Sequence, residues 1–295
     1  MPAIEPSSHV LVNGASGYIA SWTCQYLLEA GHKVRGMPHG FDEAVKDIVG
    51  ICHVASPFQV TVKDPYKDFI NPAVNGTLSI LKSAEREGKD VKRIVITSSF
   101  ASVVNPTDDL NHIFDETQWN EYSPKLAEKA AWDYLEENDP DFDLVTLCPP
   151  YVLGPIIHQV NNANSLNASV KLFHDYLVGT SDAESAKKPM ASEVDVRDLA
   201  NAHLQSLLIE KAGGNRYAVS KQVITWQDGL DIIQEKGQGK EWPNATKGEP
   251  GSGKFVKQNV YDASKSIQDL DMKYRSFEDT VIDMSHSLQV LSKAW

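Results

Sequence analysis

The sequence predicts an α/β fold built on a doubly wound parallel sheet, and three observations carry that prediction. First, the apolar run Val10 to Val12 leads without a break into a glycine turn, Gly14-Ala15-Ser16-Gly17. Apolar residues at helical spacing follow from Trp22 to Ala30, so the order is strand, glycine turn, helix. Second, short buried-strand patterns recur between helical patterns: Lys33 to Gly36, Gly50 to Val54, Arg93 to Ser98 and Phe142 to Cys148. That alternation is what parallel crossover units produce. Third, 295 residues with 41% hydrophobic and 23% charged content are enough for a sizeable core in one large domain or two unequal ones. Strand, glycine turn and helix at the start of such a chain make the sheet Rossmann-type.

In that setting the turn is shaped to hold the pyrophosphate of a dinucleotide. Gly14 permits the tight turn, Gly17 lets the backbone approach the phosphates, and Ala20 keeps helix and strand close. The free N–H groups at the helix start, by Tyr18 and Ile19, then face the anion. A strand–helix turn with no ligand is the competing reading.

The second strand is Lys33 to Gly36. NAD enzymes place an acid about twenty residues after the glycine turn to hold the ribose hydroxyls. Here that region carries Lys33, Arg35 and His39 and no acid before Asp42. Either Arg35 meets the 2′-phosphate of NADP, or this is a solvated strand end. Between Gly36 and the next strand there is room for only one helix, Phe41 to Ile48. A parallel crossover takes a dozen or more residues, so the sheet is expected to lack one edge strand. Farther on, Asn71–Glu87 has helical spacing, interrupted by Pro72 and Gly76. Lys125–Asn138 is a helix with Ser123 as N-cap and Pro124 at its first position. Asn161 to Ala168 reads as a loop, Asp195–Glu210 as an amphipathic helix, Arg216–Ser220 as a strand, and Thr225–Glu235 and Phe277–Leu291 as helices. Residues 1–155 are expected to form the dinucleotide-binding core, with 192–222 returning to it. Residues 156–191 and 223–295 are then a smaller C-terminal substrate-binding region.

A net charge of -12 argues against nucleic acid and acidic membranes as partners. No apolar run approaches transmembrane length. Cys24, Cys52 and Cys148 lie far apart in apolar stretches, as in a cytoplasmic protein with reduced thiols, and the nine histidines show no metal spacing. Gly248 to Lys254 fits Gly-x4-Gly-Lys but is followed by Phe255 where a phosphate loop needs Ser or Thr, so it is expected to be a surface loop. His158 is a candidate border of the substrate or a solvated residue.

Several blocks together resemble the extended short-chain dehydrogenase/reductases of the NAD-dependent epimerase/dehydratase superfamily. They are Val12-Asn13-Gly14-Ala15-Ser16-Gly17-Tyr18-Ile19-Ala20, His53-Val54-Ala55-Ser56-Pro57-Phe58, Pro72-Ala73-Val74-Asn75-Gly76-Thr77 and Ile94-Val95-Ile96-Thr97-Ser98-Ser99-Phe100. Leu126-Ala127-Glu128-Lys129-Ala130-Ala131-Trp132, Pro149-Pro150-Tyr151-Val152-Leu153-Gly154-Pro155 and Val194-Asp195-Val196-Arg197-Asp198 complete the set. The branch most similar is that of fungal NADPH-dependent aldehyde and ketone reductases, related to plant dihydroflavonol and cinnamoyl-CoA reductases. The resemblance implies hydride transfer from NADPH to the carbonyl of a small aldehyde or ketone. It further implies a tyrosine as proton donor, a lysine four residues later that lowers its pKa, and a serine bonded to the carbonyl. Carried over, the serine is Ser99, Ala55 and Ser56 border the ribose, and Pro149, Tyr151 and Val152 border the nicotinamide. A buried strand-end hydroxyl is the other reading of Ser99.

The proton-donating pair departs from the pattern. Counting back from Leu126, the lysine slot falls on Pro124 and the tyrosine slot on Asn120. Tyr122 and Lys125 remain nearby, three apart with Pro124 between them, and Lys129 is a conceivable stand-in. Flanking matches on both sides imply a segment missing before Leu126, and another between Gly36 and Phe41. Three functions follow: an NADPH-linked carbonyl reductase, a non-catalytic dinucleotide-binding relative, or the inactive product of a defective gene model.

Overall fold

The structure is a computed structural model that describes residues 4–37, 40–55, 64, 66–120, 126–236 and 238–295. The chain opens with β1 (His9–Asn13), α1 (Tyr18–Glu29), β2 (Lys33–Met37), α2 (Phe41–Ala44) and β3 (Gly50–His53). Next come α3 (Asn71–Glu87), β4 (Arg93–Thr97), β5 (Ile113–Phe114), α4 (Leu126–Asn138) and β6 (Asp143–Cys148). β7 (Tyr151–Leu153), α5 (Ala168–Leu177), α6 (Ala183–Ala186), β8 (Ala191–Asp195) and α7 (Val196–Leu208) follow. The chain ends with β9 (Asn215–Ala218), β10 (Gln222–Ile224), α8 (Trp226–Glu235), β11 (Val260–Tyr261), α9 (Ser264–Leu270) and α10 (Phe277–Ser292).

Among the described residues, six parallel strands form the main sheet in the order β2-β1-β3-β4-β6-β9. The winding reverses at β1, whose carboxyl end lies between β2 and β3. Among the described residues no strand stands outside β2, in keeping with the short interval between Gly36 and Gly50. Residues alternate between the faces. Val10, Val12, Cys52, Val95 and Val145 join the core under α1 and α7. Leu11, Ile51, Ile94 and Leu144 join a second core under α2, α3 and α4.

α3 runs unbroken through Pro72 and Gly76, contrary to the interruption expected. Pro72 stands in the first turn, where its missing N–H is an orphan anyway, and no atom outside the helix crowds Gly76. α2 is shorter than expected, one turn ending at Ala44. The helix expected from Asp195 begins at Val196 because the Asp195 side chain is its cap, accepting the Arg197 N–H at 2.8 Å. Ser123, Pro124 and Lys125, expected in the first turn of α4, lie outside the described residues. Hydrophobic patterning missed β7, β8 and β10, which form a three-stranded sheet in the order β10-β8-β7.

Candidate dinucleotide and carbonyl site

In a doubly wound sheet ligands sit beyond the carboxyl ends of the strands where the winding reverses, which here is the crevice above β1 and β3. Gly14 leaves β1 at φ +81°, and a Cβ built on it would stand 2.9 Å from the Cβ of Ala55, just after β3. The turn closes with the Gly17 N–H donating to the Gly14 carbonyl at 2.8 Å. Gly36, at the end of β2, is pressed equally close to Ala15: an added Cβ would meet the Ala15 Cβ at 2.9 Å. Side chains are thus excluded from both flanks of the turn, and the backbone itself faces the crevice. Gly17 is the N-cap of α1 and supplies no capping side chain, so an anion can take the helix-start N–H groups of Tyr18 and Ile19.

The Tyr18 side chain does not face this crevice. It is buried, and its hydroxyl donates to the Gly154 carbonyl at 2.8 Å, while Trp22 Nε1 donates to the Pro155 carbonyl at 2.8 Å. α1 is thereby tied to the turn after β7, and burial, with the Asp195 charge, raises the Tyr18 pKa well above its ordinary value. His158 packs its ring on Tyr18 with centroids 5.8 Å apart and is half-buried, with its pKa lowered by that burial.

Arg35, expected beside a 2′-phosphate or at a solvated strand end, meets backbone carbonyls in this structure. It lies on the face of β2 that fronts α2, and its Nη1 donates to the carbonyls of Ala44 and Lys46, both at 2.8 Å. Those are unpaired carbonyls at the end of a one-turn helix, and a guanidinium is well matched to them. Its Nη1 is thus engaged by those carbonyls. His39 and Ser56 lie outside the described residues, while Ala55 is exposed beside Gly14. At the reversal point the Asn13 side-chain amide meets His53 Nδ1 at 2.9 Å, and burial lowers the His53 pKa to about 4, so the imidazole is neutral.

One strand over, Ser99 follows β4. Its Oγ accepts the Ala101 N–H at 3.2 Å as the cap of a short turn, and its own hydrogen has no acceptor among the described residues. It is half-buried and free to donate to a carbonyl oxygen. Pro149 accepts the Phe100 N–H at 2.9 Å, which locks the end of β6 to the serine turn. The Tyr151 ring faces Phe100 at 6.3 Å and Trp226 at 6.1 Å, and the Val152 side chain is buried in the core. Glycine turn, Ala55, Ser99 and Pro149 thus stand at the carboxyl ends of β1, β3, β4 and β6.

Behind Ser99 lies a polar group that sequence reasoning did not single out. Glu128, on α4, is buried and accepts from Ser98, Ser102, Thr146 and Arg216. Burial alone raises its pKa, but the hydrogen bond and charge of Arg216 outweigh that, with the Ser102 and Ser98 hydroxyls, and hold the carboxyl below its usual range. Its one signal in the sequence was membership of the Leu126-Ala127-Glu128-Lys129 block. Tyr122 and Lys125 lie outside the described residues, and Asn120, at the tyrosine slot, donates through Nδ2 to the Ala101 carbonyl at 3.0 Å. Lys129 pairs with Asp133 on the surface of α4. The Gly248–Lys254 segment meets carboxylates, not an anion site: the Gly251 N–H donates to Asp231 at 2.7 Å. Among the described residues no cluster of His, Cys, Asp or Glu could hold a metal, and no helix is long and apolar enough to cross a membrane.

A parallel sheet with a side-chain-free glycine turn at its reversal point defines a Rossmann-type dinucleotide-binding fold. Residues 10–220 match the NAD dependent epimerase/dehydratase family, and the chain belongs to it. The NADPH-dependent methylglyoxal reductase GRE2 of Saccharomyces cerevisiae is 31% identical, with 95% of this chain and 97% of the relative aligned. The ketoreductase azaE of Aspergillus niger is 34% identical over 70% of this chain and 76% of its own length. The crystal structure of yeast methylglyoxal/isovaleraldehyde reductase Gre2 complexed with NADPH superposes with a TM-score of 0.87 at 29% identity, covering 97% of this chain and 100% of that one. The alignment with GRE2 runs over 339 positions, more than the 295 residues available here, so it passes segments with no counterpart in this chain.

Proposed function

We propose that this chain binds NADPH along the carboxyl ends of β1, β3, β4 and β6 and takes a small aldehyde or ketone against Ser99. The observation that carries the reading is Gly14, held at φ +81° against Ala55 in a cradle that a single Cβ would fill. The name of GRE2 supports carbonyl reduction with NADPH as the activity, and that of azaE supports reduction of a ketone. When bound, the nicotinamide supplies the hydride for the carbonyl carbon. The protein holds the dinucleotide with backbone N–H groups, walls the site with Phe100 and Tyr151, and polarises the carbonyl through the Ser99 hydroxyl. Residues 156–191 and 223–295 are the proposed substrate region, and three unbridged cysteines suit a cytoplasmic setting.

A second reading, impaired catalysis, is favoured by the proton-donating pair. Tyr122 and Lys125 are three apart with a proline between them, whereas a tyrosine needs a cation on its own helix face to act near neutral pH. Misplacing a reacting group by about 1 Å can cost about a hundredfold in rate. NADPH should therefore bind while turnover stays very weak. Inserting a Tyr-x-x-x-Lys segment before Leu126, with the segment before Phe41 also restored, should raise the rate. Brisk turnover by the unmodified chain, abolished by Tyr122→Phe, would reverse this second reading. Genomic sequence around codons 36–40 and 124–126 would show whether in-frame coding sequence is missing.

A further inference from the structure

We propose that Glu128 is a positioning residue for Ser99: one buried carboxylate, clamped by Arg216, fixes the turn that aims the serine hydroxyl. The proposal rests on the reading of Ser99 as the carbonyl donor. Ser99 makes little side-chain contact of its own, a single bond accepted from the Ala101 N–H. Its placement is therefore set by its neighbours on either side. Ser98 Oγ donates to Glu128 Oε2 at 2.6 Å. Ser102 Oγ lies 2.6 Å from the same oxygen, and the Ser102 N–H donates to the Ser99 carbonyl at 2.9 Å. Glu128 Oε2 thus draws in both hydroxyls that bracket Ser99.

The other carboxylate oxygen faces away from the turn. Oε1 accepts from Thr146 Oγ1 and from Arg216 Nε, each at 2.7 Å. Arg216 in turn stands 3.5 Å over the Trp119 ring and donates through Nη1 to the carbonyls of Glu116 and Gln118, at 2.6 and 2.8 Å. That segment runs directly into Asn120, whose N–H donates to the Ser102 carbonyl at 2.8 Å and whose Nδ2 donates to the Ala101 carbonyl. The serine turn is therefore held from below by Glu128 and from the side by a segment anchored to the same ion pair. Four elements meet at one carboxylate: the end of β4, α4, β6 and β9.

The charge matters as well as the shape. An ionised carboxylate only accepts, so both serine hydroxyls must point towards it, and their rotors are fixed. A glutamine would offer an amide that donates on one side, and it would leave the Arg216 charge buried without its counter-ion. The turn would then have more than one arrangement of comparable energy, and the Ser99 hydroxyl would lose its single direction.

The test uses the full chain with NADP+ bound, so that no hydride can move, and acetophenone labelled with 13C at the carbonyl. Wild type should move the carbonyl resonance downfield on binding, and Ser99→Ala should abolish that shift. Glu128→Gln should lose most of it, while NADP+ affinity, read from tryptophan quenching, changes by no more than about twofold. Ser98→Ala removes one tie and leaves the Arg216 pair intact, so it should fold and lose part of the shift even where Glu128→Gln does not fold. A full shift in both variants would overturn the positioning role and leave the serine reading standing. A wild-type resonance that does not move, or one that Ser99→Ala leaves unchanged, would remove the serine reading and this proposal together.

Discussion

Gly14→Ala isolates the physical basis of the glycine turn, because the chain contains its own control. Gly14 and Gly31 have nearly the same φ, +81° and +84°. At Gly31 an added Cβ meets nothing within 4 Å, whereas at Gly14 it meets the Ala55 Cβ at 2.9 Å. Both alanines carry the left-handed strain of an L residue, about 1–2 kcal/mol. Only the one at Gly14 adds an overpacking cost, about 1–3 kcal/mol for a methyl forced into a filled space. For a chain of this size each kcal/mol lowers Tm by about 2–4 °C. Gly31→Ala should then lose a few degrees and Gly14→Ala roughly twice that.

NADPH binding separates the two further. Relief of the Ala55 contact must push the turn into the crevice, so Gly14→Ala should weaken NADPH by about tenfold or more, a change of about 1.4 kcal/mol. Gly31→Ala, at the far end of α1, should leave the affinity alone. Adding Ala55→Gly to Gly14→Ala should restore part of both losses. The recovery is partial because the Ala55 Cα and N would still stand 3.2 and 3.3 Å from the new methyl. Thermal melts and fluorescence titrations of wild type, Gly14→Ala, Ala55→Gly and the double variant make a double-mutant cycle, with an expected coupling of about 1 kcal/mol. Equal melting losses for the two alanines, with NADPH binding intact in Gly14→Ala, would refute the close-approach argument.

Other parts of the molecule carry predictions of their own. Arg35→Ala should lower Tm by loosening the end of α2 and leave the ratio of NADPH to NADH affinity unchanged; a collapse of that ratio would make Arg35 the phosphate ligand after all. Arg93 is fully buried and donates to Asp143 at 2.7 Å and to the carbonyls of Ser206, Ile209 and Glu210. Arg93→Met leaves those acceptors without their donor and should cost about 3–5 kcal/mol in denaturant melts, and a loss under about 1 kcal/mol would contradict that reading. Burial, with the charges of Asp195 and Asp198 and against that of Lys221, raises the Glu193 pKa from 4.5 to about 8. The folded chain therefore holds a proton that the unfolded chain releases between those values, and stability falls as pH rises through that window, by about 1.4 kcal/mol per pH unit. Glu193→Gln is neutral throughout, so its stability advantage over wild type should widen from about pH 5 to about pH 8; parallel stability curves would show that Glu193 is ionised in the fold.

How far the sequence was legible depended on how far apart the interacting atoms are in the chain. The glycine turn could be read because Gly14 acts through its own backbone and the residues beside it. The strands of the main sheet could be read because burial on both faces makes runs such as Ile94-Val95-Ile96 almost wholly apolar. β8 escaped because Ser192 and Glu193 are polar residues in a buried three-stranded sheet, where hydropathy points the wrong way. The partners of Arg35, the Ala44 and Lys46 carbonyls, could not be read because they exist only once a one-turn helix has formed. Ser99 was reached by resemblance and not by pattern, since a serine ending a strand has no periodic signature. Glu128 shows the limit most clearly. On α4 it resembles any solvated carboxylate, and its burial is tolerable only because Arg216, 88 positions away, arrives on β9 to neutralise it. Patterning along a chain reports burial of apolar groups, whereas a buried charge is defined by its partner, and that partner is known only when the strand order is known.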